Sequence, residues 1–162
     1  MRKLQWGMIG GGEGSQIGPA HRLGSGLDSL FEFTAGALDH RPEYGIDYGK
    51  RLGLGDRAYG GWQEMLEAEK MRDDRVDLVT VATPNSTHFE ITKAFLENGF
   101  HVLCEKPLAT TSAEAQLMAA AATANDRLLV EAVWTRWHPR FSRLVEIVHA
   151  GELGELRSID CV

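Results

Sequence analysis

The stretch GMIGGGEGSQIGPAH, residues 7–21, decides the fold because it joins an apolar segment directly to a run of glycines. The segment before those glycines, residues 4–9, has the apolar character of a buried strand. Gly10 and Gly12 would permit a tight turn with close approach of the backbone to a pyrophosphate, and Gly18 would permit close packing of a following helix. The stretch therefore favours a strand, a phosphate-binding loop and a helix over a flexible linker.

The spacing of these glycines departs from the usual G-x-G-x-x-G pattern, because five residues separate Gly12 from Gly18. Asp39 follows Gly18 by 21 residues at the end of a second apolar segment, where a carboxylate can accept hydrogen bonds from ribose hydroxyls. The alternative is a surface turn with a carboxylate that caps the helix near Pro42. Arg41 could pair with a 2′-phosphate, but Asp39 would repel that phosphate, so the pattern favours NAD, with NADP as the alternative.

Short apolar segments alternate with longer stretches of helical period along the chain, which is typical of βαβ units. A nearly continuous apolar run, as in residues 76–82, is expected of a strand covered by helices on both faces. The predicted fold is an α/β, doubly wound, Rossmann-type and mostly parallel sheet with helices on both faces. The predicted strands after the first are 29–39, 57–59, 76–82, 100–107 and 127–132.

Several helix boundaries are marked by local signals. Thr111 and Glu114 form a Thr-x-x-Glu capping box ahead of an alanine-rich helix that should run to about Asn125. A helix that begins at Asn85 or Ser86 and ends before Gly99, and another over 140–150 closed by Gly151, are predicted by the same reasoning. We place a domain boundary between residues 133 and 134, and the alternating pattern of residues 153–162 predicts a final strand.

Composition narrows the class of protein. With 43% hydrophobic residues, 25% charged residues and a net charge of −6, the 162 residues suit one globular domain that binds small molecules. The absence of a Lys/Arg stripe argues against nucleic acid and membrane surfaces as partners. Without a long apolar run or a secretory leader, we expect a cytoplasmic protein. Cys104 and Cys161 predict neither a disulfide framework nor a metal site.

The residues that follow two neighbouring predicted strands, 83–88 and 104–107, converge on the same carboxyl edge of the sheet. Four motifs carry a family resemblance: ATPNSTH at 82–88, HVLCEKPLA at 101–109, EAVWTRWHP at 131–139 after the next strand, and GELGELRSI at 151–159 near the end of the chain. Together with Ile17, Gly18 and His21, they resemble the Gfo/Idh/MocA family of oxidoreductases, which includes glucose-fructose oxidoreductase and inositol dehydrogenase. The resemblance covers essentially the whole chain, and E-K-P is its most specific motif.

The resemblance implies a catalytic role for Lys106, beside the nicotinamide and the reacting hydroxyl. An ammonium at that place would stabilise negative charge that develops on the substrate oxygen. Glu105 would orient the lysine, and Pro107 resembles a proline that is often cis in this family. The alternative for Lys106 is an exposed lysine at a strand end. His88 would contact the cofactor or would instead be a packed or solvent-facing histidine.

The resemblance and the glycine pattern together define the predicted site. Trp134 and Arg136 would line a sugar pocket, although two tryptophans near a proline also suit a hydrophobic lid. No metal ligand is predicted. The residues predicted to bind the cofactor are Gly10, Gly12, Gly14, Ser15, Gln16, Ile17, Asp39, Arg41, Ala82, Thr83, Pro84, Asn85, His88, Glu105 and Lys106.

The family's reaction transfers hydride between a nicotinamide cofactor and a secondary alcohol of a sugar, polyol or related diol. Family members continue into a second α+β domain, of which we expect only the first strand here, at residues 153–162. The chain alone would then be inactive or weakly active, and its last strand could pair with a second copy or with a partner chain. The alternative is a non-catalytic NAD(P)-binding or sensing module. A methyltransferase also has a nucleotide loop after its first strand and an acidic residue at the end of its second, but the E-K-P motif argues against that class.

Overall fold

The computed structural model describes residues 2–160 and contains a five-stranded sheet with seven α-helices in that range. The strands are β1 (Leu4–Gly10), β2 (Phe31–Ala37), β3 (Leu78–Ala82), β4 (His101–Cys104) and β5 (Leu129–Glu131). The helices are α1 (Ile17–Leu27), α2 (Pro42–Arg51), α3 (Trp62–Lys70), α4 (His88–Glu97), α5 (Ser112–Ala124), α6 (Trp134–Trp137) and α7 (Pro139–His149). Short 3-10 helices cover Gly55–Arg57 and Asn85–Thr87.

All ladders in the sheet are parallel, and the strand order is β2-β1-β3-β4-β5. The chain builds the sheet outward from β1 in both directions, with β2 on one side and β3 on the other. The loop after β1 therefore lies at the switch point where doubly wound sheets bind ligands. The register sets Gly10 opposite Ala82 and Cys104 opposite Glu131. The carboxyl ends of the strands therefore meet at one edge, as the sequence predicted.

Helices pack on both faces of the sheet, which confirms the predicted doubly wound arrangement. On one face, Trp6 and Met8 form a small cluster with Tyr48 of α2 packed against it. On the other face, Val79 and Val81 belong to the larger core cluster, with side chains from α3, α4 and α5. Because both faces are covered, the central strands are apolar at nearly every position.

One predicted strand is wrong. Residues 57–59 form no strand; instead, the 3-10 helix ends at Arg57, and a single parallel bridge joins Ala58 to Gly36. The Tyr59 amide donates to the Gly36 carbonyl oxygen at 2.8 Å, and the pairing with β2 consists of this one bridge. The side chain of Arg57 turns inward to the buried carboxylate of Glu69.

The last predicted strand is also corrected. The chain has two compact units, one that ends at Ala132 and a second that begins at Val133. Within the second unit, α7 ends at His149, Gly151 has a positive φ of 72°, and residues 153–160 form no strand. A strand needs a neighbour for its ladder of hydrogen bonds, and this segment has none among the described residues. Cys161 and Val162 lie outside the described residues.

The predicted capping box and helix ends are confirmed, but the predicted start of α4 is wrong: Asn85 and Ser86 lie in the 3-10 helix Asn85–Thr87, and α4 begins at His88 without a side-chain cap. The Thr111 side chain accepts a hydrogen bond from the Glu114 amide, and Glu114 in turn accepts from the Thr111 amide, which completes the capping box of α5. Gly99 has a φ of 80° just after α4 ends. Within residues 2–160, every helix is too short or too polar to cross a lipid bilayer.

Candidate nucleotide-binding site

The glycine loop takes its shape from positions where a side chain would not fit. Gly10, Gly11 and Gly14 all have positive φ values, of 76°, 67° and 80°. A Cβ on Gly10 would lie 2.5 Å from the Ala82 carbonyl oxygen, and one on Gly18 would meet the backbone carbonyl group of Gly11. The loop is thus pressed against β3 on one side and against the first turn of α1 on the other.

Gly12 lies against the backbone that follows β2, and its predicted approach to a pyrophosphate stays a prediction. A Cβ on Gly12 would meet the backbone carbonyl group of Leu38, just after β2. The missing side chain therefore allows the loop to approach the protein's own backbone, whereas Gly14 has open space around it. A side chain at Gly12 would displace the backbone at Leu38, so a Gly12 variant would change the packing of the loop as well as any nucleotide binding.

The first turn of α1 leaves backbone N–H groups for an anion. It contains no acidic residue, and the residue before it, Gln16, gives no side-chain cap. Ser15 covers one donor, because its Oγ accepts a hydrogen bond from the Gly18 amide at 3.1 Å. The remaining donors and the helix dipole suit a phosphate group at this end of the helix.

Two arginines that the sequence reasoning missed support the loop from α1 and α2. Arg22 donates to the Gly11 carbonyl oxygen at 3.0 Å. Arg51 donates to both carboxylate oxygens of Glu13, at 3.0 and 2.8 Å, and lowers the pKa of that carboxyl. Both guanidinium groups lie near the Tyr48 ring. The acidic side chain of the loop is in this way paired with a cation.

Asp39 and Arg41 form a closed ion pair at the end of β2. The Arg41 side chain donates to both carboxylate oxygens of Asp39 at 3.0 Å, and its backbone N–H donates to one of them at 2.9 Å. These hydrogen bonds hold the pKa of Asp39 at about 2, so the carboxylate is charged at neutral pH. The Arg41 guanidinium also stacks over the Tyr44 ring at 4.0 Å.

A cavity of about 600 Å³ lies between the glycine loop, the end of β2 and the loop after β3. This volume falls in the range of small-molecule sites, which is roughly 300–1,000 Å³. Six of the predicted residues line it: Gly10, Ser15, Asp39, Ala82, Thr83 and Pro84. The glycines of the loop leave room for a pyrophosphate, and the Asp39 carboxylate, at the end of β2, fits an adenosine ribose.

Other predicted residues lie outside that cavity, and some lining residues were not predicted. Gly12, Gly14, Gln16, Ile17, Arg41, Asn85, His88, Glu105 and Lys106 are not among the residues that line it. Gly60, Gly61, Trp62 and Gln63 do line it, beside Asp39. The signal that could have revealed them is the apolar spacing of Trp62, Met65 and Leu66, which marks α3 directly after two glycines.

His88 is a packed histidine, the alternative considered from the sequence. Its ring is buried, with Nδ1 at 2.8 Å from the Pro107 carbonyl oxygen and Nε2 at 2.9 Å from the Thr83 carbonyl oxygen. Both ring nitrogens are therefore engaged by the backbone, which leaves neither for a cofactor. The ring joins the loop after β3 to the turn after β4.

The turn after β4 carries Lys106. The Glu105 amide donates to the Val81 carbonyl oxygen at 2.9 Å, which continues the pairing of β4 with β3, and the Lys106–Pro107 bond is cis. The Glu105 carboxylate lies 2.8 Å from the imidazole of His21. Lys106 itself is exposed, and its ammonium makes no hydrogen bond or ion pair within residues 2–160. The free ammonium of Lys106 thus follows the end of β4, the strand that pairs with β3, whose last residue, Ala82, lines the cavity.

Trp134 and Arg136 belong to the second compact unit. The Trp134 ring meets the His138 ring edge-on at 5.9 Å, and Arg136 lines a shallow pocket with Phe141 and Val145 of α7. Their proposed contact with substrate stays a prediction.

Thiol and metal chemistry find no support in the described part of the chain. Cys104 is buried, and that burial raises the pKa of its thiol to about 11, so it is not a nucleophile at neutral pH. Residues 2–160 contain no cluster of three or more His, Cys, Asp or Glu side chains able to hold a metal ion.

Comparisons with known proteins agree with this geometry. The model of the oxidoreductase family with an NAD-binding Rossmann fold matches residues 4–132. The uncharacterized oxidoreductase YfiI of Bacillus subtilis is 40% identical over 98% of this chain and 41% of its own length. D-xylose 1-dehydrogenase (NADP(+)) of Hypocrea jecorina is 42% identical over 60% of this chain and 24% of its own.

A solved structure gives the same result in three dimensions. The inositol dehydrogenase homolog of Azotobacter vinelandii, complexed with NADH and myo-inositol, superposes with a TM-score of 0.93 at 41% identity. The match covers 96% of this chain and 41% of that one, so the chain spans about two fifths of the length of these relatives. The family match, the superposition and the glycine loop at the switch point lead to one conclusion: the chain belongs to the Gfo/Idh/MocA oxidoreductases, with their NAD-binding Rossmann fold.

Proposed function

We propose that this chain binds the nicotinamide cofactor for hydride transfer to or from a secondary alcohol carbon of a sugar, polyol or related diol. The observation that carries the proposal is the placement of the glycine loop, Asp39 and Lys106 at one edge of a parallel sheet. That edge is where doubly wound folds bind dinucleotides. Two relatives support the substrate class, namely the D-xylose 1-dehydrogenase and the inositol dehydrogenase homolog that holds NADH and myo-inositol.

The adenosine half of the cofactor would lie between the glycine loop and the end of β2. Ser15 and the first turn of α1 would face the pyrophosphate, and Asp39 would accept hydrogen bonds from the ribose hydroxyls. Thr83 and Pro84 would contact the half that carries the nicotinamide. Since Arg41 already occupies both oxygens of Asp39, ribose binding would require these contacts to be shared.

Lys106 would act on the reacting oxygen of the substrate. The nicotinamide, when bound, supplies the hydride acceptor or donor. The Nζ ammonium would donate a hydrogen bond to the substrate oxygen and stabilise the negative charge that grows there. The weak turnover expected of this chain by itself stays a prediction. The alternative, a non-catalytic NAD(P)-binding or sensing module, also stays a prediction; the strand through which it would pair with another protein is not formed by residues 153–160.

Calorimetric titration of the 162-residue chain with NADH and then with NADPH tests the proposal. We expect binding of NADH, and we expect Asp39→Ala to weaken it by about tenfold, or roughly 1.4 kcal/mol, because the ribose hydroxyls lose a charged acceptor. Asp28→Ala, at an exposed carboxylate just after α1, is the matched control and should bind as the unaltered chain does. Failure of a folded chain to bind either nucleotide would refute the proposal.

A further inference from the structure

Two histidines outside the cavity contact the residues on either side of Lys106. His21 belongs to α1 and meets Glu105, and His88 belongs to α4 and meets Pro107. We propose that His21 and His88 are positioning residues that fix the backbone from which Lys106 projects. The inference rests on the proposed function, since it assigns a purpose to residues that hold its lysine.

The contact on the N-terminal side runs through a carboxylate. His21 Nε2 lies 2.8 Å from Glu105 Oε1, and the other oxygen, Oε2, accepts a hydrogen bond from the Lys106 backbone N–H at 3.2 Å. The two side chains are only 14% and 11% exposed. A carboxylate so far removed from water needs a partner, and the imidazole supplies it.

The contact on the C-terminal side runs through backbone carbonyl groups. His88 Nδ1 faces the Pro107 carbonyl oxygen and Nε2 faces that of Thr83. A carbonyl oxygen only accepts hydrogen bonds, so the N–H of the ring donates toward one of these two backbone oxygens. At 1% exposure the ring is shielded from water, so these two backbone contacts take the place of hydration.

The arrangement matters because the Lys106 ammonium has no side-chain partner among residues 2–160. Its long side chain can act on a reacting atom only if the turn that carries it is held in place, to within about 0.5 Å for efficient chemistry. α1 starts from the glycine loop and α4 follows the loop after β3. The two histidines thus connect both of those loops to the lysine.

The first experiment uses the 162-residue chain without any nucleotide. Mild acylation followed by mass spectrometry measures labelling of Lys106 relative to Lys50, an exposed lysine on α2. In His21→Leu, Glu105 loses its partner and is free to pair with the neighbouring ammonium, so labelling of Lys106 should fall by about threefold. In His21→Gln, the amide N–H takes the place of Nε2, and labelling should stay at the unaltered level.

The control is His101→Gln at the other end of β4. His101 Nδ1 accepts a hydrogen bond from the Leu128 amide at 2.9 Å, far along the strand from Lys106. Its labelling ratio should not change. Equal ratios in the unaltered chain and in a folded His21→Leu would overturn the proposal. Equal unfolding free energies of His21→Leu and His21→Gln, with different labelling, would separate positioning from general stability.

A second pair of variants divides the two contacts of His88. Asn places its amide near the position of Nδ1, toward Pro107, and Gln places its amide near that of Nε2, toward Thr83. We expect the Lys106-to-Lys50 labelling ratio of His88→Asn to equal that of the unaltered chain and the ratio of His88→Gln to differ from it. The reverse result would contradict the contact of Nδ1 with Pro107. If neither folds, the His21 pair decides the proposal by itself.

These measurements also separate this inference from the proposed function. Changed labelling in a chain that binds neither nucleotide would leave the positioning contacts in place and reject the dinucleotide site. Unchanged labelling in a chain that binds NADH would keep the site and reject the positioning role.

Discussion

Gly18 is the glycine whose replacement the packing should tolerate least. A Cβ at this position would lie within 2.8 Å of both the carbonyl carbon and the Cα of Gly11, and both neighbours are backbone atoms that cannot rotate away. Gly24, in the same helix, has nothing within 4 Å of its would-be Cβ. The two positions therefore form a matched pair within α1.

We expect opposite effects from alanine at these two positions. Gly18→Ala should lower the free energy of unfolding by about 2 kcal/mol, because the helix must move away from the loop. Gly24→Ala should raise it by about 0.5–1 kcal/mol, because alanine has the better helix propensity. Urea unfolding of both variants measures this, and a destabilised Gly24→Ala would show that the free space is not available.

The site could be predicted from the sequence only in part. Gly18 and Asp39 are found by local pattern, since each occupies a fixed place after a strand. The contact between His21 and Glu105 joins residues 84 positions apart, and that between Arg51 and Glu13 joins residues 38 apart. One sequence carries no signal for such pairs, because any exposed arginine or histidine looks the same along the chain.

At the scale of elements, helix starts follow from local hydrogen bonding and strands do not. The capping box of α5 needs only Thr111 and Glu114, so the sequence alone places the beginning of this helix correctly. A strand exists only if its neighbour offers a ladder. Residues 57–59 and 153–160 have suitable patterns but, within the described chain, no continuous ladder partner, which is why both predictions failed.

Threonine-to-alanine variants at the two ends of α5 test the capping box. Thr111→Ala should lower the free energy of unfolding by about 1 kcal/mol, since the Glu114 amide loses its acceptor. Thr123→Ala, which removes only a back-bond from Oγ1 to the Ala119 carbonyl oxygen, should be neutral or stabilising by a few tenths of a kcal/mol, roughly the propensity difference. Thermal or urea unfolding compares them, and equal losses would argue against the cap.

At the scale of the whole molecule, a buried ion pair links segments from different parts of the first compact unit. Glu69 of α3 accepts hydrogen bonds from Arg57 at 3.0 and 2.6 Å, from the Tyr59 hydroxyl at 2.8 Å and from the Val76 amide at 3.0 Å. Glu69 is fully buried, and burial together with this contact raises the pKa of Tyr59. Composition gives no sign of this network, because charged residues are usually exposed.

A double-mutant cycle on this pair should show strong coupling. Arg57→Met leaves a buried carboxylate without its cation and should lower the free energy of unfolding by about 3–5 kcal/mol. Arg57→Met combined with Glu69→Leu should cost less than the sum of the two single changes. Lys93→Met, at an exposed pair with Glu97 on α4, is the control and should change stability by about 0.5 kcal/mol at most. Additive losses at Arg57 and Glu69 would refute the coupling.

The positive φ values of Gly10, Gly11 and Gly14 have a consequence for the speed of nucleotide capture. The entropy lost in ordering these glycines is spent when the chain folds, before any ligand arrives. A receptor that is already shaped needs no ordering step after the encounter. The observed association rate of the nucleotide should therefore rise in proportion to nucleotide concentration without reaching a plateau, as expected of a preformed binding site.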